Sequence, residues 1–243
     1  MANRSLFRSL FGRLLPAADT INFAGGSAYA QSPEHALAQY AVTGCFHSTF
    51  YAVPANARQA SSQPRGRGAA RNGFGSGAAE DQLRTVLALA PMVEPRYLAQ
   101  LAIYARERGA MKDMPAMLCA ILASRDGELF ERIFERAIDS PRVLRTFVQI
   151  MRSGVTGRKS LGSRPKRAVQ RWLAARSDEQ LFQASIGNDP SLADVIRMVH
   201  PRPSNPTREA LYAYIVGRPH DSERLPPIVQ AYERFKQSLI VTN

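Results

Sequence analysis

The feature of this sequence that could bind a ligand is a segment of concentrated positive charge. The 38 residues from Ser140 to Ser177 contain ten arginines and lysines and no aspartate or glutamate. Outside them the chain has 22 basic and 20 acidic residues, so this segment carries most of the formal net charge of +12. We call it the basic window. A localised field of this kind attracts polyanions such as a phosphate backbone, although a solvated arginine-rich helix surface has the same composition.

The spacing within the basic window predicts two cationic helix faces around a glycine-rich loop. On a helix over Pro141–Ser153, three arginines and Gln149 fall at i, i+3, i+7 and i+10, opposite an apolar side. A loop over residues 154–162 follows, and its glycines let backbone N–H groups approach a phosphate before a second helix begins near Ser163. The cations expected to contact phosphates are Arg142, Arg145, Arg152, Arg158, Lys159, Arg164, Lys166, Arg167 and Arg171.

Patterns for catalysis and metal binding are missing from the sequence. The four histidines show no metal-ligand spacing, and the scattered carboxylates form no acid/base pair in an apolar context. No nucleophile motif is present. We therefore expect no enzyme activity, no metal and no cofactor.

Composition sets the class of protein. A chain of 243 residues with 45% hydrophobic content can bury one sizeable core. No apolar run approaches the ~18–20 residues that cross a bilayer, so we expect no membrane span. Cys45 and Cys119 lie in apolar surroundings and are interpreted as buried residues of a reduced, cytoplasmic protein. Residues 1–31 are an N-terminal arm that begins with a basic amphipathic segment, MANRSLFRSLFGRLLP. We expect this segment to be a terminal helix that docks on the body, a membrane-surface or targeting role being the alternative.

Helix signals recur along the chain and strand signals are weak, so the predicted fold class is all-α. Residues 54–79 interrupt the pattern and are predicted to be a flexible loop rich in Gly, Ala, Ser, Arg and Pro. Short turns separate the helices, which favours antiparallel pairs stacked as a HEAT-like α-solenoid. The predicted helices are residues 33 to about 51, 80–90, 95–108, 115–124, 126–138 and 141–153.

Several segments add a resemblance to a known family. Leu144–Gly154, Gly157–Gly162, Pro165–Arg167 and Asp194–Pro201 are specific together rather than singly, and further matches extend to about Lys236. These segments resemble the TROVE module, the RNA-binding ring domain of the Ro autoantigen family, in its bacterial Rsr-like form. By this resemblance residues 32–243 are a TROVE-like helical domain that follows the arm 1–31.

The resemblance implies a HEAT-repeat ring in a small ribonucleoprotein. Such a ring binds single-stranded RNA 3′ ends in its central hole and structured small non-coding RNA, Y RNA, on its outer surface. It also implies a role in RNA quality control or turnover with an exoribonuclease partner. Arg197 and His200 are added as RNA contacts because their segment resembles the family's surface for Y RNA.

The chain departs from the family pattern in two respects. It has no DxSxS motif, so no metal site of the von Willebrand A-like domain is carried over. It also spans what looks like half to two-thirds of the ring, so we expect a partial ring that self-associates through its open end near Ile228, Phe235 and Leu239. A protein-interaction solenoid whose basic groove takes an acidic partner remains the alternative function.

Overall fold

Every regular element that the structure describes is helical. The computed structural model describes residues 33–43, 86, 89–109, 111–153 and 161–241. These residues contain no strand, which confirms the all-α prediction. The α-helices are α1 (Pro33–Thr43), α2 (Pro95–Arg108), α3 (Met114–Arg125), α4 (Gly127–Ala137), α5 (Pro141–Ser153), α6 (Ser163–Ala174), α7 (Asp178–Ser185), α8 (Ser191–Val199), α9 (Pro206–Ile215) and α10 (Pro227–Val241), with 3-10 turns at Ala90–Met92 and Ser222–Arg224.

Prolines and polar caps set the helix starts. The predicted bounds of α2 and α5 agree with the structure, and both helices begin at a proline, where the missing N–H costs nothing. The hydroxyl of Ser140 accepts from the backbone N–H of Val143 at 3.4 Å, as expected for the cap of α5. Asp126 caps α4 in the same way, accepting from the N–H of Leu129 at 3.0 Å.

Helix α3 forms the centre of the first half of the fold. Residues 114–122 are all buried, and the helix packs against α2, α4, α5 and the turn at Ala90–Met92. This burial follows from its sequence, because a helix that is apolar on all sides needs neighbours on all sides. Phe130, Phe134 and Phe147 pack beside it with ring centroids 5.0–5.7 Å apart and join α4 to α5.

Two side chains connect α6 and α7 to the rest of the protein. Trp172 of α6 is buried, and its indole N–H donates to the Ile138 carbonyl at 2.7 Å. Arg208 of α9 has its Nε 2.8 Å from a carboxylate oxygen of Asp178 at the start of α7. The same guanidinium donates to the carbonyls of Leu173 and Arg176 at the end of α6. A single cation thus joins three helices.

The last helix carries exposed apolar side chains. On α10, Phe235 is 60% exposed and Leu239 is 51% exposed, whereas Ile228 is half-buried. Self-association through this region stays a prediction. No helix in the described ranges is long and apolar enough to cross a membrane. The predicted arm 1–31, the loop 54–79 and most of the predicted helix 80–90 lie outside the described residues.

Gly109 supplies a test of the packing between α1 and α2. A Cβ at this position would lie 2.5 Å from the Ala105 carbonyl oxygen and 2.9 Å from the Ala41 carbonyl oxygen. Backbone atoms cannot move aside as a side chain can, so we expect Gly109→Ala to lower the free energy of unfolding by about 1–3 kcal/mol in a urea titration. Gly187→Ala is the control, since its Cβ meets no atom closer than 3.9 Å. Equal effects of the two substitutions would contradict the close approach.

Candidate nucleic-acid interface

Helix α6 displays the most accessible part of the basic window. Its apolar side is buried through Val169, Trp172 and Leu173, which fixes the rotation of the helix. The opposite side therefore faces solvent, and all four of its predicted contact residues are exposed. They are Arg164, Lys166, Arg167 and Arg171. Because residues 164, 167 and 171 are spaced i, i+3 and i+7, three of these cations lie along one face.

The start of α6 has features that favour an anion. Gly162 precedes the helix with a φ of 72°, a left-handed conformation that glycine adopts without strain. As a glycine it has no side chain to cap the helix, and the first turn contains no acidic residue. The backbone N–H groups of Ser163 and Arg164 and the positive end of the helix dipole therefore lie beside the positive charges of Arg164 and Lys166.

Neighbouring elements offset the charge of α6 only in part. Arg171 has an Nη 3.8 Å from a carboxylate oxygen of Glu131, and its side chain remains 53% exposed. The Arg164 side chain lies across Gly127 at the start of α4. Within the described ranges, no carboxylate lies at ion-pair distance from Lys166 or Arg167. This face keeps a net positive charge.

The cationic face of α5 is arranged differently, because it packs along α8. Arg145 has its Nε 3.1 Å from a carboxylate oxygen of Asp194, and the two side chains are about one-third exposed, at 34% and 29%. Arg152 donates to the Met198 carbonyl at 3.5 Å. The basic window contains no acidic residue, but Asp194 of α8 lies next to its Arg145. Arg145 therefore serves helix packing, while Arg142 and Arg152 keep exposed side chains.

A second carboxylate lies near the start of α8. Hydrogen bonds from the hydroxyl and the backbone N–H of Ser191 hold the pKa of Asp189 below its usual range, and the charges of Arg145 and Arg142 lower it further. Asp189 is thus a stable anion beside the basic face. It reduces the local potential that a phosphate would experience there.

Arg197 and His200 meet at one cavity. Arg197 is held by Asp194, whose carboxylate oxygen is 3.4 Å away, and donates to the Val216 carbonyl at 2.9 Å. His200 ends α8 in the left-handed conformation, with a φ of 47°, and is exposed. Both residues line a cavity of about 270 Å³ between α8 and α9, together with Tyr212 and Arg218. The structure therefore places these two candidates side by side.

Three further cations belong to the basic window. Arg176 belongs to the basic window, but its guanidinium stacks on the Trp172 ring with the Cζ 3.2 Å from the centroid, and burial lowers its pKa. Arg158 and Lys159 lie outside the described residues. Sequence reasoning missed the countercharges Asp189 and Asp194. The only signal for them was the i, i+3 spacing of Asp194 and Arg197.

In the part of the chain that the structure describes, no group of three or more His, Cys, Asp or Glu side chains could hold a metal ion. The chain matches no protein-family model, no curated protein and no solved structure.

The pairing of Asp194 leads to a prediction about affinity. Asp194→Asn removes the carboxylate that neutralises Arg145 and Arg197, so we expect a short oligouridylate to bind about threefold more tightly at low salt, as measured by fluorescence anisotropy. Asp221→Asn is the matched control, because Asp221 forms a comparable ion pair with Arg224 at 3.0 Å. An affinity that stayed the same or fell in a folded Asp194→Asn variant would contradict the view that Asp194 competes with phosphate.

Proposed function

We propose that this protein is an RNA-binding scaffold of a small ribonucleoprotein. Its antiparallel helices stack as a HEAT-like α-solenoid, and α6 supplies the main phosphate-binding surface. Arg142 and Arg152 of α5 extend that surface toward α8. Support comes from the exposure of these cations and from their position on two consecutive helices.

The observation that carries this proposal is the cationic start of α6, which has glycine at its cap position. A positive charge at a helix N-terminus costs about 0.3–1 kcal/mol through the helix dipole. Arg164 and Lys166 lie in that first turn, which contains no acidic residue. The arrangement lowers the stability of the free protein, and a bound phosphate would reverse the cost by accepting from the free N–H groups. Anion binding explains a sequence that stability alone disfavours.

The identity of the polyanion in this proposal rests on the resemblance of the sequence to the TROVE module. The proposed ligands are single-stranded RNA 3′ ends and structured small non-coding RNA of the Y type. The proposed context is RNA quality control or turnover in the cytoplasm, with an exoribonuclease as partner. Arg197 and His200 belong to the proposed surface for the structured RNA.

The α6 cations give the most direct test by mutation. Replacing Lys166, Arg167 and Arg171 by glutamine removes three phosphate contacts. We expect affinity for all single-stranded RNAs to fall about equally, since phosphate contacts carry no sequence information. The slope of log affinity against log salt should decrease in magnitude by about 2, at roughly 0.7 for each lost contact. Filter binding over a range of salt concentrations measures both quantities.

A matched set of exposed cations serves as the control for this experiment. Arg96, Arg108 and Lys112 are exposed on or beside α2, and their replacement by glutamine changes the net charge by the same amount. Loss of RNA affinity equal to that of the α6 set would mean that binding is a diffuse charge effect. Retention of tight binding by polyglutamate, with little binding of RNA, would favour the acidic-partner alternative.

A substitution at the start of α6 should change stability and RNA binding in opposite directions. Ser163→Glu adds an acid at the first position of the helix, so we expect the free energy of unfolding to rise by about 0.3–1 kcal/mol. The same charge repels phosphate, so RNA affinity should fall. Gln183→Glu, on the exposed side of α7, should produce neither effect. If RNA affinity stayed unchanged in a stabilised Ser163→Glu variant, the start of α6 would not be part of the interface.

A further inference from the structure

The cavity between α8 and α9 has the size and walls of a site for one planar ring. Its volume is about 270 Å³, and its apolar lining includes Pro201, Pro203 and Tyr212 beside aliphatic side chains. Cavities for drug-sized molecules occupy about 300–1,000 Å³, so this one suits a smaller group. A tyrosine ring presents a flat surface and a proline ring a compact apolar one, against which an unstacked nucleobase can pack.

The polar groups of the cavity differ from those of a simple phosphate site. Arg218 is in the lining and supplies positive charge, whereas Arg197 is already paired with Asp194. Glu209 is in the lining as well. A carboxylate repels phosphate and accepts hydrogen bonds from N–H donors. The cavity therefore combines one cation for a phosphate with an acceptor for a group that carries N–H bonds.

A carboxylate such as that of Glu209 can discriminate among the four RNA bases by the hydrogen-bonding groups on their edges. A carboxylate has two acceptor oxygens, and only guanine presents two adjacent donors, N1–H and the N2 amino group, on its Watson–Crick edge. Adenine and cytosine each place one amino group beside an acceptor nitrogen, and uracil places one N–H between two carbonyls. The bidentate arrangement is therefore available to guanine alone.

We propose that this cavity binds an unstacked guanine base of a single RNA strand. Glu209 accepts from N1–H and the N2 amino group, Tyr212 and the two prolines contact the ring, and Arg218 contacts the adjoining phosphate. This inference rests on the proposed RNA-binding function and adds a base-specific site to it.

The backbone and the neighbouring helix support this assignment. His200 is the one residue other than glycine that the described part of the chain holds at positive φ, and such strain gathers at ligand sites. Here the left-handed turn leads the chain from α8 into the wall formed by Pro201 and Pro203. Arg152 of α5 donates to the Met198 carbonyl, two residues before this turn. An RNA strand bound to the cations of α5 would therefore pass close to the cavity.

The first test uses guanosine 5′-monophosphate and the full chain. Saturation-transfer NMR should show contact of the base protons of this nucleotide with the protein and much weaker contact for adenosine 5′-monophosphate. Glu209→Gln should abolish the difference, because an amide N–H₂ opposes the donors of guanine. Glu107→Gln, an exposed glutamate of α2, is the control and should leave it unchanged. Equal signals for both nucleotides in every variant would overturn the proposal.

The second test separates this site from general RNA binding. An oligouridylate with one guanosine should bind about tenfold more tightly than the same strand with one adenosine, and an inosine should fall between them because it lacks the N2 amino group. Glu209→Gln should erase these differences, and because it also removes a charge that repels phosphate, plain oligouridylate should bind to this variant at least as tightly as to the unchanged protein.

Each contrary outcome has a distinct meaning. Tight RNA binding without any base preference would overturn the guanine site and leave the proposed function standing. Binding of free guanosine 5′-monophosphate through Glu209, without binding of any oligonucleotide, would overturn the assignment to a strand and the proposed function together. If neither guanosine 5′-monophosphate nor any oligonucleotide bound, both the guanine site and the proposed function would be overturned.

Discussion

The hydrogen bond from the Trp172 indole to the Ile138 carbonyl is the contact on which the candidate interface depends. It is buried and joins α6 to the end of α4, where the chain turns into α5. Arg176 covers the other side of the ring and donates to the Trp172 carbonyl at 2.7 Å, so the last turn of α6 is fixed from two directions. Because the position and rotation of α6 follow from this anchor, so does the exposure of its cations.

A second constraint is the division of the arginines between packing and binding. Arg145, Arg176 and Arg208 each contact a carboxylate, an aromatic ring or helix-terminal carbonyls, and they hold helices together. Lys166 and Arg167 have no such role in the described part of the chain. A buried or stacked guanidinium that loses its partner destabilises the fold, whereas an exposed cation can be replaced at little cost. Lys166 and Arg167 of the proposed interface are of the second kind.

Local features of the sequence predicted much of the fold but little of the charge pairing. Pro95 and Ser140 mark helix starts through chemistry confined to a few neighbouring residues, and the apolar pattern of α3 requires burial on all sides. The bond between Trp172 and Ile138 spans 34 residues, and the pair Arg145–Asp194 joins two helices that are distant in sequence. Single-sequence periodicity contains no information about such contacts. The wall formed by Pro201 and Pro203 depends in addition on the left-handed turn at His200, which is unusual for a residue other than glycine.

The central claim is that RNA lies on α6 and on the adjoining edge of α5, and photochemical crosslinking measures this most directly. The sequence contains no glutamate between Glu135 and Glu179, so a glutamate-specific protease releases the whole basic window as one peptide, residues 136–179. After irradiation with 4-thiouridine RNA, the account predicts that this peptide carries most of the crosslinked nucleotide, at positions in α6 and α5. Crosslinks confined to the peptides from residues 1–80, with none in 136–179, would contradict it.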